Sequence, residues 1–362
     1  MERILFIMGN MGLGGAETHT MKVYRNIDRE QFQFDFVLNI PEKCYYEDEI
    51  KSLGGRIFRV TAKSKSITRN FIDIKNIVRE YDYNVVLKCG EQAMSWTEML
   101  AAKLGGANKR IMRSTNSRGD SSILGNLMHY LSRVPLNVFI TDKVAPSIEA
   151  GEWLFGKRAC KNLLIINNGI DLSQYAYNHE KRINGRKILE MPMDAIVLGH
   201  VGRFNEQKNH EYLIDIFAEY HKKNEKSYLL LIGDGPLRCK IEEKIKVLGL
   251  ENFVIFTGNR ADVHELYSVM DVFVFPSFYE GMPNTVIEAQ ANGLKCFVAD
   301  TITKSANITR NVQYIPLGNV EAWVDKLMEF EYERNDCTKS FLQNKYDIKS
   351  VTETYVQLLS NV

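Results

Sequence analysis

Two glutamates, Glu280 and Glu288, lie within the stretch DVFVFPSFYEGMPNTVIEAQANG that runs from Asp271 to Gly293. Val272 to Phe275 is a short apolar run of strand formers, too brief for a helix. Pro276 and Ser277 end it. Tyr279, Glu280 and Gly281 then read as a loop, and Pro283 suits the first turn of a helix that carries Ile287 and Glu288 and ends near Gly293. On one continuous helix the two glutamates would stand about 80° apart, so a shared site is more natural with Glu280 in the loop. Loops at the carboxyl ends of strands are where open α/β sheets bind ligands. The amides from Met282 through Asn284 to Thr285 would add the positive character of a helix N-terminus, suited to a phosphate. Taken as an isolated pair, the glutamates are more simply two surface carboxylates. Arg203 and Lys208 follow Gly202 in a second loop, between a strand and a helix, and by the same standard are plain surface cations.

Strands and helices must hold these side chains, and the chain supplies two sets. Ile4 to Met8, Phe32 to Leu38, Ile57 to Val60, Asn84 to Lys88, Lys109 to Met112, Lys143 to Pro146 and Leu163 to Ile166 read as strands. After Ile4 to Met8 comes a glycine-rich turn holding Gly14 and Gly15, where backbone can approach a phosphate closely. A second alternation begins at Ile196 to Val201 and continues through Tyr228 to Ile232, Asn252 to Phe256, Val272 to Phe275 and Cys296 to Ala299. Strands alternating with helices predict parallel sheets covered on both faces. The polar stretch 171–194 reads as a linker between two α/β halves.

At 362 residues, 45% apolar and 25% charged, the chain is long enough for two domains with full cores. Its net charge of +1 is unevenly spread: residues 1–170 carry 24 Lys and Arg against 18 Asp and Glu, the remainder 22 against 27. A basic first half predicts an anionic partner there, a phosphorylated acceptor or a lipid surface. Nucleic acid fits less well, with no aromatic-basic motif and no finger spacing. The helix expected around Ile67, Phe71, Ile74, Ile77 and Val78 has Lys63, Lys65, Arg69, Lys75 and Arg79 on its other side; this is either a solvated face or a contact for anionic lipid. Six cysteines without a C-x-x-C predict neither a zinc site nor a disulfide framework, and point to a reducing compartment. The chain opens on a strand, so no signal peptide is expected, and no apolar run reaches the roughly 18 residues of a spanning helix.

The segment Glu-Gly-Met-Pro-Asn-Thr-Val-Ile-Glu-Ala after VFVFPS resembles the E-x7-E signature of retaining glycosyltransferases of family 4 (glycosyl transferases group 1). Gly-Gly-Ala-Glu at 14–17, Gly-Arg-x-x-x-x-Lys at 202–208 and Asn-Gly-Ile-Asp at 168–171 resemble further parts of that family, and GHVGRFNEQKNHEYLIDIF is most similar to its capsule and exopolysaccharide members. The resemblance implies the GT-B architecture: two Rossmann-like α/β domains with parallel sheets facing a central cleft. Residues 1–170 would form the acceptor domain, 195–340 the nucleotide-sugar donor domain, and 341–362 a C-terminal helix packing back on the first domain. By the same resemblance Arg203 and Lys208 clamp the donor diphosphate, Glu280 lies against the donor sugar and Glu288 holds the ribose. Gly14, Gly15, Gly202, Arg260, Met282, Asn284 and Thr285 line the substrate. Fixed cations stabilise the charge growing on a departing phosphate more in the transition state than in the substrate. No Asp-x-Asp occurs in the chain, so metal-independent chemistry without a cofactor is expected.

The implied partners are a nucleotide-sugar donor, UDP-linked, and a glycan or lipid-diphosphate-linked acceptor, handled in the cytoplasm at the inner face of the cell membrane. Capsule-type members usually carry His-Ser-His-Asn where this chain has Arg113-Ser114-Thr115-Asn116, and the histidines expected earlier are replaced by Leu87-Lys88-Cys89-Gly90. These departures put an unusual acceptor, or altered activity, in prospect. The alternative is a non-catalytic sugar-nucleotide-binding subunit. A glycan phosphorylase shares the architecture, but the chain is short for one and shows no clear lysine for a pyridoxal cofactor.

Overall fold

The computed structural model describes residues 1–116, 123–329, 331 and 333–360. They fall into two compact units, Met1–Gly169 with Lys345–Val362, and Ile170–Asn344. Ser117, next to the Arg113–Asn116 segment, lies outside the described residues.

In the first unit the strands are β1 (Glu2–Ile7), β2 (Phe32–Leu38), β3 (Ile57–Arg59), β4 (Val85–Gly90), β5 (Lys109–Ser114), β6 (Asp142–Ala145) and β7 (Leu163–Ile165). They form one parallel sheet in the order β3-β2-β1-β4-β5-β6-β7. Every residue of β2 is buried, as expected for a strand covered on both faces. One core layer joins Phe6, Phe34 and Phe36 to Met21 and Tyr24 of the helix Gly15–Asn26. The C-terminal helix Ile348–Ser360 completes this layer with Ile348, Val351, Tyr355, Leu358 and Leu359. The His19 imidazole and the Tyr355 hydroxyl, 3.0 Å apart and buried, tie the two helices together.

The second unit carries β8 (Ile196–Val201), β9 (Ser227–Ile232), β10 (Val254–Phe256), β11 (Val272–Phe275), β12 (Lys295–Ala299) and β13 (Val312–Ile315). This sheet is parallel too, in the order β10-β9-β8-β11-β12-β13. The chain grows outward from β8 in one direction, then returns to pair β11 on its other side. That reversal creates a crevice above the carboxyl ends of β8 and β11, the place where doubly wound sheets bind ligands.

Four features differ from the sequence reading. The stretch 171–194, expected to be a linker, is folded into the second unit as the helices Leu172–Tyr175 and His179–Ile188. Its anchors are charged: Arg182 and Arg186 each lie 2.6 Å from a different oxygen of Asp271, and Arg186 is fully buried. The second unit runs to Asn344 rather than 340, and gains β13, an edge strand of four residues. Pro283 caps the helix Asn284–Ala291 rather than opening its first turn. On the helix Ile67–Glu80 the apolar side turns inward through Ile74 and Val78, while Ile67 is exposed. Lys63 precedes this helix and pairs with Glu98 at 2.7 Å, so it does not belong to the helix's basic face.

Candidate active site

The loop after β8 and the loop after β11 spring from adjacent strands at the reversal of strand order. Three hydrogen bonds lace them together: Phe278 N–H to Gln207 O (2.9 Å), Gln207 Nε2 to Tyr279 O (2.9 Å) and Asn209 Nδ2 to Pro276 O (3.1 Å). Asn209 makes its bond from a left-handed conformation, φ 55°, which asparagine tolerates better than most side chains. Across this lacing Lys208 Nζ donates to Glu280 Oε1 at 2.7 Å, with both side chains largely shielded from solvent. The Lys208 ammonium also lies 4.8 Å from the centre of the Phe275 ring, which favours a cation over its face. Arg203 stands exposed on the same β8 loop.

Beneath the loop the packing leaves no slack. A methyl group on Gly202 would come within 3.0 Å of His200 Nε2 and 3.2 Å of the Lys208 stem. One on Gly233 would stand 2.2 Å from the Gly202 carbonyl oxygen, and one on Gly235 would meet the Phe204 backbone at 2.6–2.9 Å. Gly233 adopts φ 133°, open to glycine and strained for other residues. The loops after β8 and β9 therefore pack backbone on backbone, which is why both are glycine-bearing. His200 and His210 are buried under this shelf with their rings 4.8 Å apart. His200 Nδ1 lies 2.9 Å from the Val274 carbonyl, an acceptor, so the proton sits on Nδ1 and Nε2 is bare. Burial pushes both imidazoles below the usual histidine range, His210 to about 3 with Lys208 adding to the effect.

Glu280 is in the loop and Glu288 on the following helix, as the spacing required. The Tyr267 hydroxyl donates to Glu288 Oε2 at 3.0 Å. Burial, reinforced by the Glu288 charge, holds this phenol well above its ordinary range, so it remains a donor. In the first turn of the helix the Thr285 hydroxyl oxygen is buried and makes no hydrogen bond, while Met282 is nearly buried and Asn284 half-buried. Arg260 follows β10, two strands from β8, and its guanidinium pairs with both oxygens of Asp262 at 2.7 and 2.5 Å.

In the first unit the corresponding reversal lies between β1 and β4. Gly14 caps the helix Gly15–Asn26, and a methyl group there would stand 2.2 Å from a Glu17 carboxylate oxygen that folds back over it. Burial raises the Glu17 carboxyl above its ordinary range. Arg113, which stands where the family resemblance leads one to expect a histidine, is buried. Its Nη2 donates to Asn168 Oδ1 at 2.6 Å, bracing the end of the segment Met1–Gly169. Thr115 is half-buried, and Lys88 lies 3.6 Å from Glu98. Sequence reasoning assigned no role to Tyr267, to His200 or to the shelf formed by Gly233 and Gly235, although His200 lies within the GHVGRF segment and the two glycines flank Asp234 just past a strand.

The model for "Glycosyl transferases group 1" matches residues 195–330, the span that holds both laced loops. The putative glycosyltransferase EpsF of Bacillus subtilis (strain 168) is 34% identical over 316 residues, covering 84% of this chain and 81% of that protein. An Escherichia coli enzyme, UDP-Gal:alpha-D-GlcNAc-diphosphoundecaprenol alpha-1,3-galactosyltransferase, is 29% identical over 45% of this chain and 44% of its own. The crystal structure of Anabaena HepE, in complex with UDP and glucose, superposes with a TM-score of 0.81 over the whole of both chains at 18% identity, a likeness of fold. With two parallel sheets of seven and six strands among the described residues, matching the GT-B fold, the chain belongs to the glycosyl transferases group 1 family.

Proposed function

We propose that this protein is a retaining, metal-independent glycosyltransferase of polysaccharide biosynthesis. It moves a hexose from a UDP-sugar to a glycan or lipid-diphosphate-linked acceptor at the cytoplasmic face of the membrane. The observation that carries the reading is the meeting of the β8 and β11 loops at the sheet reversal, bridged by Lys208 and Glu280 at 2.7 Å. The crystal structure of HepE, of the same fold, holds UDP and glucose, and the E. coli relative is a galactosyltransferase acting on a diphosphoundecaprenol-linked sugar.

In this reading Lys208 and Arg203 take the donor diphosphate, the arginine bidentately and the lysine as a point charge. The amides at Met282 to Thr285 add a helix N-terminus to the same anion. Glu288, held in one orientation by Tyr267, accepts from the ribose hydroxyls. Glu280 faces the donor sugar and keeps Lys208 placed until phosphate arrives. The acceptor hydroxyl attacks the anomeric carbon on the side the phosphate leaves. The bond from that carbon to the diphosphate oxygen breaks, the bond to the acceptor oxygen forms, and the acceptor proton passes to the departing phosphate.

A panel of sugar nucleotides tested by thermal shift identifies the donor, because a ligand at about 100 times its Kd stabilises the native state by about 2.7 kcal/mol. Transfer is then measured in excess EDTA. Stabilisation by UDP-sugars and transfer that survives chelation are expected. Activity that collapses in EDTA and returns with Mg²⁺ or Mn²⁺ refutes the metal-independent clamp. Donor binding without transfer to any lipid-linked acceptor would make the chain a binding subunit instead.

A further inference from the structure

The helix Ile123–Phe139 in the first unit turns its apolar side outward. The residues it buries are His129, Ser132 and Leu136, two of them polar. Every residue it exposes is apolar or aromatic. Leu124, Leu127, Leu131, Val134 and Val138 recur at steps of three and four residues along one face, between 53% and 71% exposed. Ile123, 91% exposed, together with Met128 and Tyr130 widens that stripe. A soluble domain rarely leaves so continuous an apolar surface uncovered without a use for it.

The charges around the helix indicate what covers it. No Asp or Glu occurs between Ile123 and Phe139, and its one Arg or Lys, Arg133, is turned back along the fold. The Arg133 guanidinium lies 4.4 Å from the Tyr130 ring centre and donates to the Trp153 carbonyl. A seam for a second helix is normally edged with charged residues that choose the partner; this stripe has none. Cations gather at its C-terminal end instead. Lys103 Nζ lies 5.8 Å from the Phe139 ring centre. Asn137 Nδ2 bonds the Phe155 carbonyl at 2.9 Å, which brings the turn with exposed Lys157, Arg158 and Lys161 alongside. The neighbouring helix Ile148–Phe155 contributes Glu149 and Glu152, leaving the basic residues in excess. An apolar face bordered by lysine and arginine is the pattern of a helix lying in a bilayer interface, with acyl chains below and anionic headgroups at its rim. At 17 residues the helix is shorter than a span requires, and no described helix is long and apolar enough to cross a membrane.

We propose that the helix Ile123–Phe139 docks the protein on an anionic bilayer, lying in the plane of its surface, in place of the basic face of the helix Ile67–Glu80. The inference deepens the lipid-linked acceptor reading, yet its readout needs neither donor nor transfer, so the two can fail separately. The full chain is floated with vesicles of phosphatidylglycerol and phosphatidylcholine, and with phosphatidylcholine alone, at low and high salt. Wild type is expected on the anionic vesicles, with binding that weakens in salt. Leu127→Glu/Leu131→Glu places two charges on exposed positions and should lower partitioning at least about tenfold with the melting temperature unchanged. Lys157→Glu/Arg158→Glu should weaken binding to anionic vesicles alone, and Lys75→Glu/Arg79→Glu should leave it intact. Three outcomes overturn the proposal: no binding to anionic vesicles, binding that Leu127→Glu/Leu131→Glu leaves untouched, or loss only in Lys75→Glu/Arg79→Glu. A dimer in sedimentation velocity that Leu127→Glu/Leu131→Glu dissolves, with no vesicle binding by wild type, would assign the stripe to a second copy of the chain instead.

Discussion

At the residue scale the proposed chemistry rests on Lys208 and Arg203, which differ in how the fold holds them. Lys208 is shielded, paired with Glu280 and seated near Phe275, so its charge is fixed before a donor arrives. Arg203 is exposed and must order on binding. Preorganised charge stabilises a transition state without reorganisation at the moment of reaction. Lys208→Ala and Arg203→Ala are each expected to lower kcat by about 10²–10³, the usual cost of one lost charge-stabilising donor. Because Lys208 also fixes Glu280, its loss should disturb the donor sugar as well. Steady-state kinetics with the donor found by thermal shift checks this, and near-wild-type turnover in both variants removes the pair from the mechanism. The places of Glu280 on a loop and Glu288 on the following helix were legible because short-range spacing sets them, whereas the pairing of Lys208 with Glu280 spans 72 residues and was not. Tyr267 was not legible: it reaches Glu288 across 21 residues, and no local pattern announces such a contact.

At the element scale β8 and the helix His210–Lys223 meet through His200 and His210, and that packing has a pH signature. Both histidines are neutral in the folded chain, with pKa values lowered by burial, His210 to about 3. An unfolded chain takes up a proton on each near pH 6.5, so below that pH the unfolded state binds more protons and is favoured. Stability contributed by neutral His210 is complete above about pH 6.5 and falls as pH drops toward 3. Between pH 7 and 5 the loss from this residue is about 2 kcal/mol. His210→Leu keeps an apolar side chain against Phe204 and removes the titration, so denaturant unfolding of this variant should vary less with pH over that interval. An undiminished pH dependence would mean that His210 is solvated or charged in the fold. Most strands could be read from runs of strand formers, but one strand and one helix could not be read from composition. The edge strand Val312–Ile315 is short and half-exposed, so it lacks the apolar run that marks an interior strand. The helix His179–Ile188 reads as polar, yet its Arg182 and Arg186 both pair with Asp271, and composition alone does not separate a paired charge from a solvated one.

At the scale of the whole molecule the two units are built unequally along the chain. Ile170–Asn344 is continuous and contains every proposed donor residue except Gly14 and Gly15, whereas the first unit needs both Met1–Gly169 and the last turns after Lys345. The C-terminal helix is part of the first unit's core: Ile348, Val351, Tyr355, Leu358 and Leu359 are all buried there. Burying an apolar side chain of that size contributes about 1.5–3 kcal/mol, so together the five match the 5–15 kcal/mol that typically separates a folded domain from its unfolded state. Removing the helix would also strand His19, whose partner across it is the Tyr355 hydroxyl. A chain ending at Asn344 should therefore lose the first unit's cooperative melting transition and expose apolar surface to a hydrophobic dye. The isolated segment Ile170–Asn344 has its own six-stranded sheet, the Asp271 anchor and the Lys208–Glu280 bridge, so it should fold alone and still be stabilised by UDP. Calorimetric melting of the two truncations, with and without UDP, separates the outcomes. A first unit that melts normally without its helix would show that the helix is an accessory, and a second unit that folds but ignores UDP would place essential donor contacts on the first.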